Sequence, residues 1–361
     1  MALRRVAVYV SSHGFGHAVR VSEVITKLLE RVPQARVHVR STAPRWLFAD
    51  GDGRLAVEPV STDVGMVQPH GLSIDFEATI AALDRLEARW DRLVRDETAW
   101  LEGIRAEVVL GDIPPLAFEA AERAGVPGLA LGNFSWDWIY GRCAGGDRRF
   151  LRHAERAAAC YRRARRLLRL PFHAEMPAFR STMDIPLIAR RSALPHDEAR
   201  RRLGLPLGRP LVLLSFGGLG FTGIDVSGLG ELSEIVFVAT ESFADAPANL
   251  VCLERTGLDY TLLLRACDAV VTKPGYGIVA ASLVNGVRVL YTTRDDFPET
   301  PILVRALEEH ATAQVVPLAD LAQGAIGRPL EALLARPVVE SGLAADGAER
   351  AAELLAREIG L

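Results

Sequence analysis

At 361 residues with 49% hydrophobic side chains, the chain is long enough for two domains with full cores, and its composition is not that of a disordered chain. A net charge of −3 gives no general attraction to nucleic acid, and no apolar run approaches the roughly eighteen residues of a spanning helix. Val6–Val10 runs straight into a glycine loop, which is not the layout of a signal peptide. Cys143, Cys160, Cys252 and Cys267 have neither metal-like nor disulfide-like spacing, so reduced thiols and a cytoplasmic location are expected. Of 42 basic residues only Lys27 and Lys273 are lysines, so a lysine at a turn asks for a reason.

The first strand is predicted at Val6–Val10. It is followed by Ser11, Ser12, His13, Gly14, Phe15, Gly16 and His17, and then by Val21, Val24, Ile25, Leu28 and Leu29 at helical spacing. That predicts strand, glycine turn and a helix over His17–Arg31. Further strands are predicted at Val37–Arg40, Ala56–Pro59, Val108–Leu110 and Gly128–Leu131, with helices over Asp75–Ile104 and Pro115–Ala124. Trp136, Trp138 and Tyr140 in "NFSWDWIY" are either aromatic walls of a pocket or core. The segment 142–169 carries ten arginines, with Phe150, Ala154, Ala157, Tyr161, Ala164 and Leu168 at helical spacing. It reads as an amphipathic helix, either a core-facing stripe with a solvated arginine face or a peripheral surface for anionic lipid or an anionic acceptor. "RLPFHAEMPAFRSTMDIPLIARR" has no clean period and reads as a linker. Beyond it, strands are predicted at Leu211–Ser215, Ile235–Ala239, Leu250–Leu253, Ala269–Thr272 and Arg288–Tyr291.

Strands alternating with helices predict an α/β protein with two doubly wound parallel-sheet domains. The expected boundaries are 1–180 and 181–345, with 346–361 a helix packing back on the first domain. Ligands are expected at the carboxyl ends of the strands. The turn at Gly14 and Gly16 lacks the third glycine of the dinucleotide fingerprint, and Val39-Arg40-Ser41 lacks its acidic residue, which argues against a dinucleotide. "LLSFGGLGFTG" supplies a second turn with Ser215, Gly217 and Gly218. Lys273, Gly275, Tyr276 and Gly277 form a third, where backbone N–H groups and a scarce lysine suit a diphosphate. His17 at a helix start is a candidate general base, or else a cap of its own helix, and Asp112 past another buried strand is the carboxylate expected to orient it. His13 either contacts an acceptor or shapes the loop. No metal-ligand spacing is visible.

Together these features resemble the GT-B glycosyltransferases. The resemblance implies two Rossmann-like domains facing a cleft, with the acceptor on the first and a nucleotide sugar on the second. "GFGHA" resembles the first loop of plant UDP-glycosyltransferases and of the N-acetylglucosaminyltransferase of peptidoglycan synthesis, which implies His17 as base and Asp112 as its partner. A narrower resemblance rests on "SSHGFGHAVR", "GDIPPLAFEAAERAGVPGLALGNFSWDWIY", "LPFHAEMPAFR", "KPGYGIVAASL" and "RDDFPETPIL". These are similar to the glycosyltransferase-like N-terminal domain of plant L-arabinokinases. The kinase domain that follows there has no counterpart in these residues, so arabinokinase activity is not implied. The resemblance places Asp295, Asp296 and Glu299 on the donor sugar, and Thr256 to Tyr260 beside the donor's nucleobase. It also places Ala281 where a ribose-binding glutamate is usual. It implies an inverting, metal-independent transferase without cofactor, a UDP-type donor as substrate, an acceptor hydroxyl and no nucleic acid. The alternatives are a nucleotide-sugar 2-epimerase using the "RDDFPE" cluster, and a non-catalytic nucleotide-sugar-binding module.

Overall fold

A computed structural model describes residues 3–48, 52–68, 73–217, 225–243, 245–254, 257–293 and 297–361. The chain divides into two compact units, one made of Met1–Pro69, Ile74–Ile188 and Asp346–Leu361, the other chiefly of Ala189–Ala345.

In the first unit the elements run β1 Arg4–Val10, α1 Phe15–Arg31, β2 Ala35–Arg40, β3 Leu55–Glu58, α2 Phe76–Glu87, α3 Trp90–Gly103, β4 Val108–Asp112, α4 Pro115–Arg123, β5 Gly128–Gly132, α5 Trp136–Cys143, α6 Phe150–Tyr161, β6 Arg166–Arg169 and β7 Thr182–Asp184. The seven strands form one parallel sheet in the order β3-β2-β1-β4-β5-β6-β7. β4 and β5 are buried along their whole length, as parallel strands covered on both faces must be, and this explains their unbroken apolar runs.

In the second unit the elements are α7 His196–Arg202, β8 Leu211–Ser215, β9 Val236–Ala239, β10 Leu250–Cys252, α8 Tyr260–Ala266, β11 Ala269–Thr272, α9 Tyr276–Asn285, β12 Arg288–Tyr291, α10 Thr300–His310, β13 Ala313–Val315, α11 Leu318–Ala322 and α12 Gly327–Leu334. Its six strands are parallel in the order β10-β9-β8-β11-β12-β13. The last helix, α13 Gly347–Glu358, packs on α1 of the first unit, where Ala351, Ala352 and Leu355 are buried.

Three expectations need correction. The stretch 169–191, expected as a linker, carries β7, which pairs with β6, and buries Leu170, Ala174 and Leu187 in the first unit, which runs to Ile188. The stretch expected as one helix, Asp75–Ile104, is two. Arg89 leaves helical geometry (φ −108, ψ 3), and the break seats the Trp90 ring in the core, with its Nε1 donating to Glu119 Oε2 at 2.8 Å. The basic segment is helical only to Tyr161. Leu167 and Leu168 then belong to β6, whose pairing with β5 and β7 outweighs the helical spacing of Ala164 and Leu168. Six of its ten arginines are held in ion pairs within the unit: Arg149 with Glu77 and Asp147, Arg152 with Asp84, Arg156 with Glu87, Arg163 with Glu122, Arg165 with Glu358 and Arg169 with Asp184.

Candidate active site

In a doubly wound sheet the ligand crevice opens at the carboxyl edge where strand order reverses. In the first unit that point lies between β1 and β4, neighbours in register with Val10 opposite Asp112. The chain leaves β1 through Ser11 and turns at Gly14, whose φ of 84° lies in the left-handed region that favours glycine, before α1 begins at Phe15. His17 is thereby carried into the first turn of α1. Its Nδ1 lies 2.9 Å from Asp112 Oδ1; the carboxylate is fully buried and the imidazole 8% exposed. Burial pushes the Asp112 carboxyl up, but the Arg20 charge and the hydrogen bonds with Arg20 and His17 outweigh it and hold the group below its ordinary range.

Arg20 was not singled out from the sequence. It is buried and donates to both oxygens of Asp112. The only sequence signal was its place one turn after His17, and in a chain that uses arginine as its default cation that signal is faint.

The loop after β3 supplies a second unforeseen group, Asp63. It is buried, accepts from Trp136 Nε1 at 2.9 Å, and lies within electrostatic reach of His17. Burial pushes its carboxyl up against the opposing donors Ser11 and Trp136. The same loop braces His13. The Met66 N–H faces His13 Nδ1 at 3.4 Å, and Gly65 (φ 66°) leaves room for the ring, since a Cβ there would lie 2.8 Å from Nδ1. Trp136 meets His13 edge-to-face at 5.4 Å and is wholly buried, so it is core rather than a pocket wall. Tyr140 is buried too and donates to Gly65 O at 3.3 Å, while Trp138 is half-buried under the Arg142 guanidinium. Phe15 sits edge-to-face with Trp46, which is 53% exposed.

The second unit's switch point lies between β8 and β11, with Ser215 opposite Thr272. Ser215 Oγ is 2.6 Å from Tyr260 Oη, at the start of α8. Gly217 has φ 77°. Lys273 follows Thr272 directly and is buried. Gly275 then caps α9, whose first turn, with Tyr276 and Gly277, has no acidic residue; Ala281 lies further along this helix, which carries no carboxylate. Glu299 is buried at the start of α10. Strand ends thus gather Ser215 and Lys273 at one sheet edge. Gly218, Thr256, Asp295 and Asp296 lie outside the described residues.

Among the described residues, Asp84, Glu87 and His153 form a group whose ligand atoms lie within 4.8 Å of one another. Arg152 and Arg156 already pair with those carboxylates, and His153 bonds Asp84 at 2.9 Å, so the cluster ties α6 to α2.

No family model matches the chain. It is 34% identical over 364 residues to the L-arabinokinase of Arabidopsis thaliana, an alignment covering 97% of this chain but 34% of that protein. The chain therefore spans about a third of the curated relative it matches. Among solved structures it resembles the glycosyltransferase of kitacinnamycin (TM-score 0.67, 19% identity, 99% of this chain and 100% of that one). It also resembles MurG of Acinetobacter baumannii (0.61, 14%, 99% and 100%) and UGT89C1 of Arabidopsis thaliana complexed with UDP (0.61, 17%, 100% of each). Among the described residues no helix is long and apolar enough to cross a membrane. With parallel sheets of seven and six strands, the chain has the GT-B fold of these glycosyltransferases, and in sequence it resembles a third of an L-arabinokinase.

Proposed function

We propose that the chain is an inverting, metal-independent glycosyltransferase that moves a sugar from a nucleotide donor, UDP-type, to an acceptor hydroxyl. The observation that carries this reading is the 2.9 Å contact between His17 Nδ1 and Asp112 at the carboxyl edge of β1 and β4. With Nδ1–H donating to the carboxylate, the lone pair stands on Nε2. Nε2 takes the proton of the acceptor hydroxyl as its oxygen bonds to the anomeric carbon. The bond from that carbon to the diphosphate breaks, and the electron pair leaves with the diphosphate; attack in line inverts the configuration. The charge gathering on the leaving group is met by the Lys273 ammonium and by backbone N–H groups at the start of α9, including Tyr276 and Gly277. Ser215, Gly217 and Gly275 border the same edge, and Gly218 belongs to the same turn in sequence. Glu299, with Asp295 and Asp296, is assigned to the donor hydroxyls. His13, Gly14, Phe15, Gly16 and Trp138 are assigned to the acceptor side. Solved relatives of the fold bound to UDP and dTDP support a nucleotide donor.

The test is incubation of the chain with a panel of nucleotide sugars, with and without hydroxyl acceptors. Transfer or hydrolysis is the expected result. Isomerisation would favour a 2-epimerase, and binding without turnover a binding module. The identity to an L-arabinokinase adds a second reading, phosphorylation of a sugar hydroxyl. Phosphate transfer from ATP to L-arabinose in the same assay would favour it.

A further inference from the structure

Arg20 stands one turn beyond His17 on α1, so the two side chains leave the same face of the helix. Its buried guanidinium spends its donors in a fixed pattern. Nε donates to Asp112 Oδ2 and Nη2 to Asp112 Oδ1, each at 2.5 Å, and Nη1 donates to Asn133 Oδ1 at 2.9 Å. Asn133 lies just past β5, the next strand of the sheet, and is itself anchored where its carbonyl accepts from Ala174 N–H at 2.7 Å. The Arg20 fork thus spans the carboxyl ends of β4 and β5.

Asp112 Oδ1 is shared, because His17 Nδ1 lies 2.9 Å from it and 3.0 Å from Arg20 Nη2. An arginine keeps its protons and accepts none. Nδ1 therefore either accepts from Arg20 or carries a hydrogen and donates to Asp112. In the first arrangement the Nδ1 lone pair would also face Oδ1, an acceptor, at 2.9 Å; in the second, Nδ1–H and Nη2–H both point at Oδ1, a carboxylate oxygen with lone pairs for both. The groups facing His17 are Arg20 on its own helix, Asp112 at the end of β4, and Asp63 on the loop after β3, which is bonded to Trp136.

Charge gives Arg20 a further role. A buried carboxylate must be paired. If an imidazolium were the only cation beside Asp112, His17 would have to be charged, and a charged imidazole is no base. Asp112 and Arg20 balance each other, so the imidazole beside them is not needed as a cation. We infer that Arg20 is a positioning residue that keeps Asp112 ionised and its Oδ1 aimed at Nδ1, leaving His17 uncharged with Nε2 open. Its part in a reaction rests on the transferase reading; its effect on the pair does not.

Nitrogen-15 spectra of the histidine rings and carbon-13 spectra of the aspartate carboxyls test this on the whole chain without donor or acceptor. In the native protein His17 is expected as a single Nδ1–H tautomer. In Arg20→Met the Asp112 carboxyl should titrate at least about one pH unit higher, and the His17 signature should be lost. Unchanged Asp112 titration and an unchanged His17 signature in a folded Arg20→Met would overturn the inference. If circular dichroism shows that variant unfolded, Arg20→Lys decides. It keeps the charge but loses the fork, so Asp112 should stay ionised while the His17 tautomers mix; an unaltered His17 signature would count against us. Where transfer is measurable, Arg20→Met should slow it by about 10²-fold, and far less in an Asp112→Asn background. Equal losses in both backgrounds would overturn action through Asp112. The spectra need no substrate, so a failed transferase reading leaves them decisive.

Discussion

Each unit holds a cluster of one histidine, one aspartate and one arginine, and the two clusters do different work. In the first, His17 and Arg20 meet Asp112 at the carboxyl end of β4, at the switch point of the sheet. In the second, His196 and Arg200 meet Asp268, which stands just before β11, at the opposite edge. Asp268 Oδ2 also accepts from the Leu211 N–H at 2.7 Å, and Arg200 turns its other donors to the carbonyls of Ala266 and Arg209, each at 2.9 Å. That cluster ties α7 to the starts of β8 and β11. Arg20, by contrast, gives two donors to one carboxylate, and a histidine completes the set. Residue types are shared; position on the sheet and the direction of the fork separate a structural tie from a candidate catalytic group.

The sharpest way to break this contrast is His17→Ala, which should lower transfer by about 10²–10⁴-fold, the scale of a general base. Full activity in that variant, or a larger loss in His13→Ala, would move the chemistry elsewhere. Asp112→Asn should show a smaller loss in the same direction in single-turnover rates, because it disturbs the tautomer while the imidazole remains. Gly65→Ala should act more weakly on the rate. Its Cβ would press on His13 Nδ1 at a left-handed backbone position, costing about 1–3 kcal/mol in thermal unfolding of the first unit.

The smallest effect belongs to the second cluster. The carboxylates of Asp268, 3.4 Å from Nε2, and then of Asp197, 3.1 Å from Nδ1, hold His196 above the ordinary histidine range, although burial opposes it. A raised group contributes stability below its unfolded value, near 6.5, and loses it as pH rises through the folded one. His196→Gln should therefore lower the melting temperature by on the order of 2 °C at pH 5.5 and by less at pH 8.5, with transfer unaltered. A larger loss at the higher pH would reverse the sign argued here.

Much of the frame was legible because central parallel strands must be apolar throughout. β1, β4, β8, β11 and β12 could be placed from their runs, and the turns after β1, β8 and β11 followed. β6, β7 and β13 were not, since they span four, three and three residues and two are edge strands. Two apolar residues between arginines carry no strand period. At the site, His17 and Asp112 were readable because each follows a strand. Asp63 was hidden in a loop without period, and Arg20 among many arginines. Trp136 was open to two readings, and only its hydrogen bond to Asp63 and full burial assign it to the core.

The central claim is that the first unit's switch point does the chemistry while the second unit's holds the nucleotide. Calorimetric titration of UDP into the native chain, His17→Ala and Lys273→Ala tests it most directly. Lys273→Ala should weaken binding by about 1–3 kcal/mol, the scale of a charge-assisted hydrogen bond, and His17→Ala should leave it nearly unchanged. Unaltered affinity in Lys273→Ala, or a loss of that size in His17→Ala, would contradict the account.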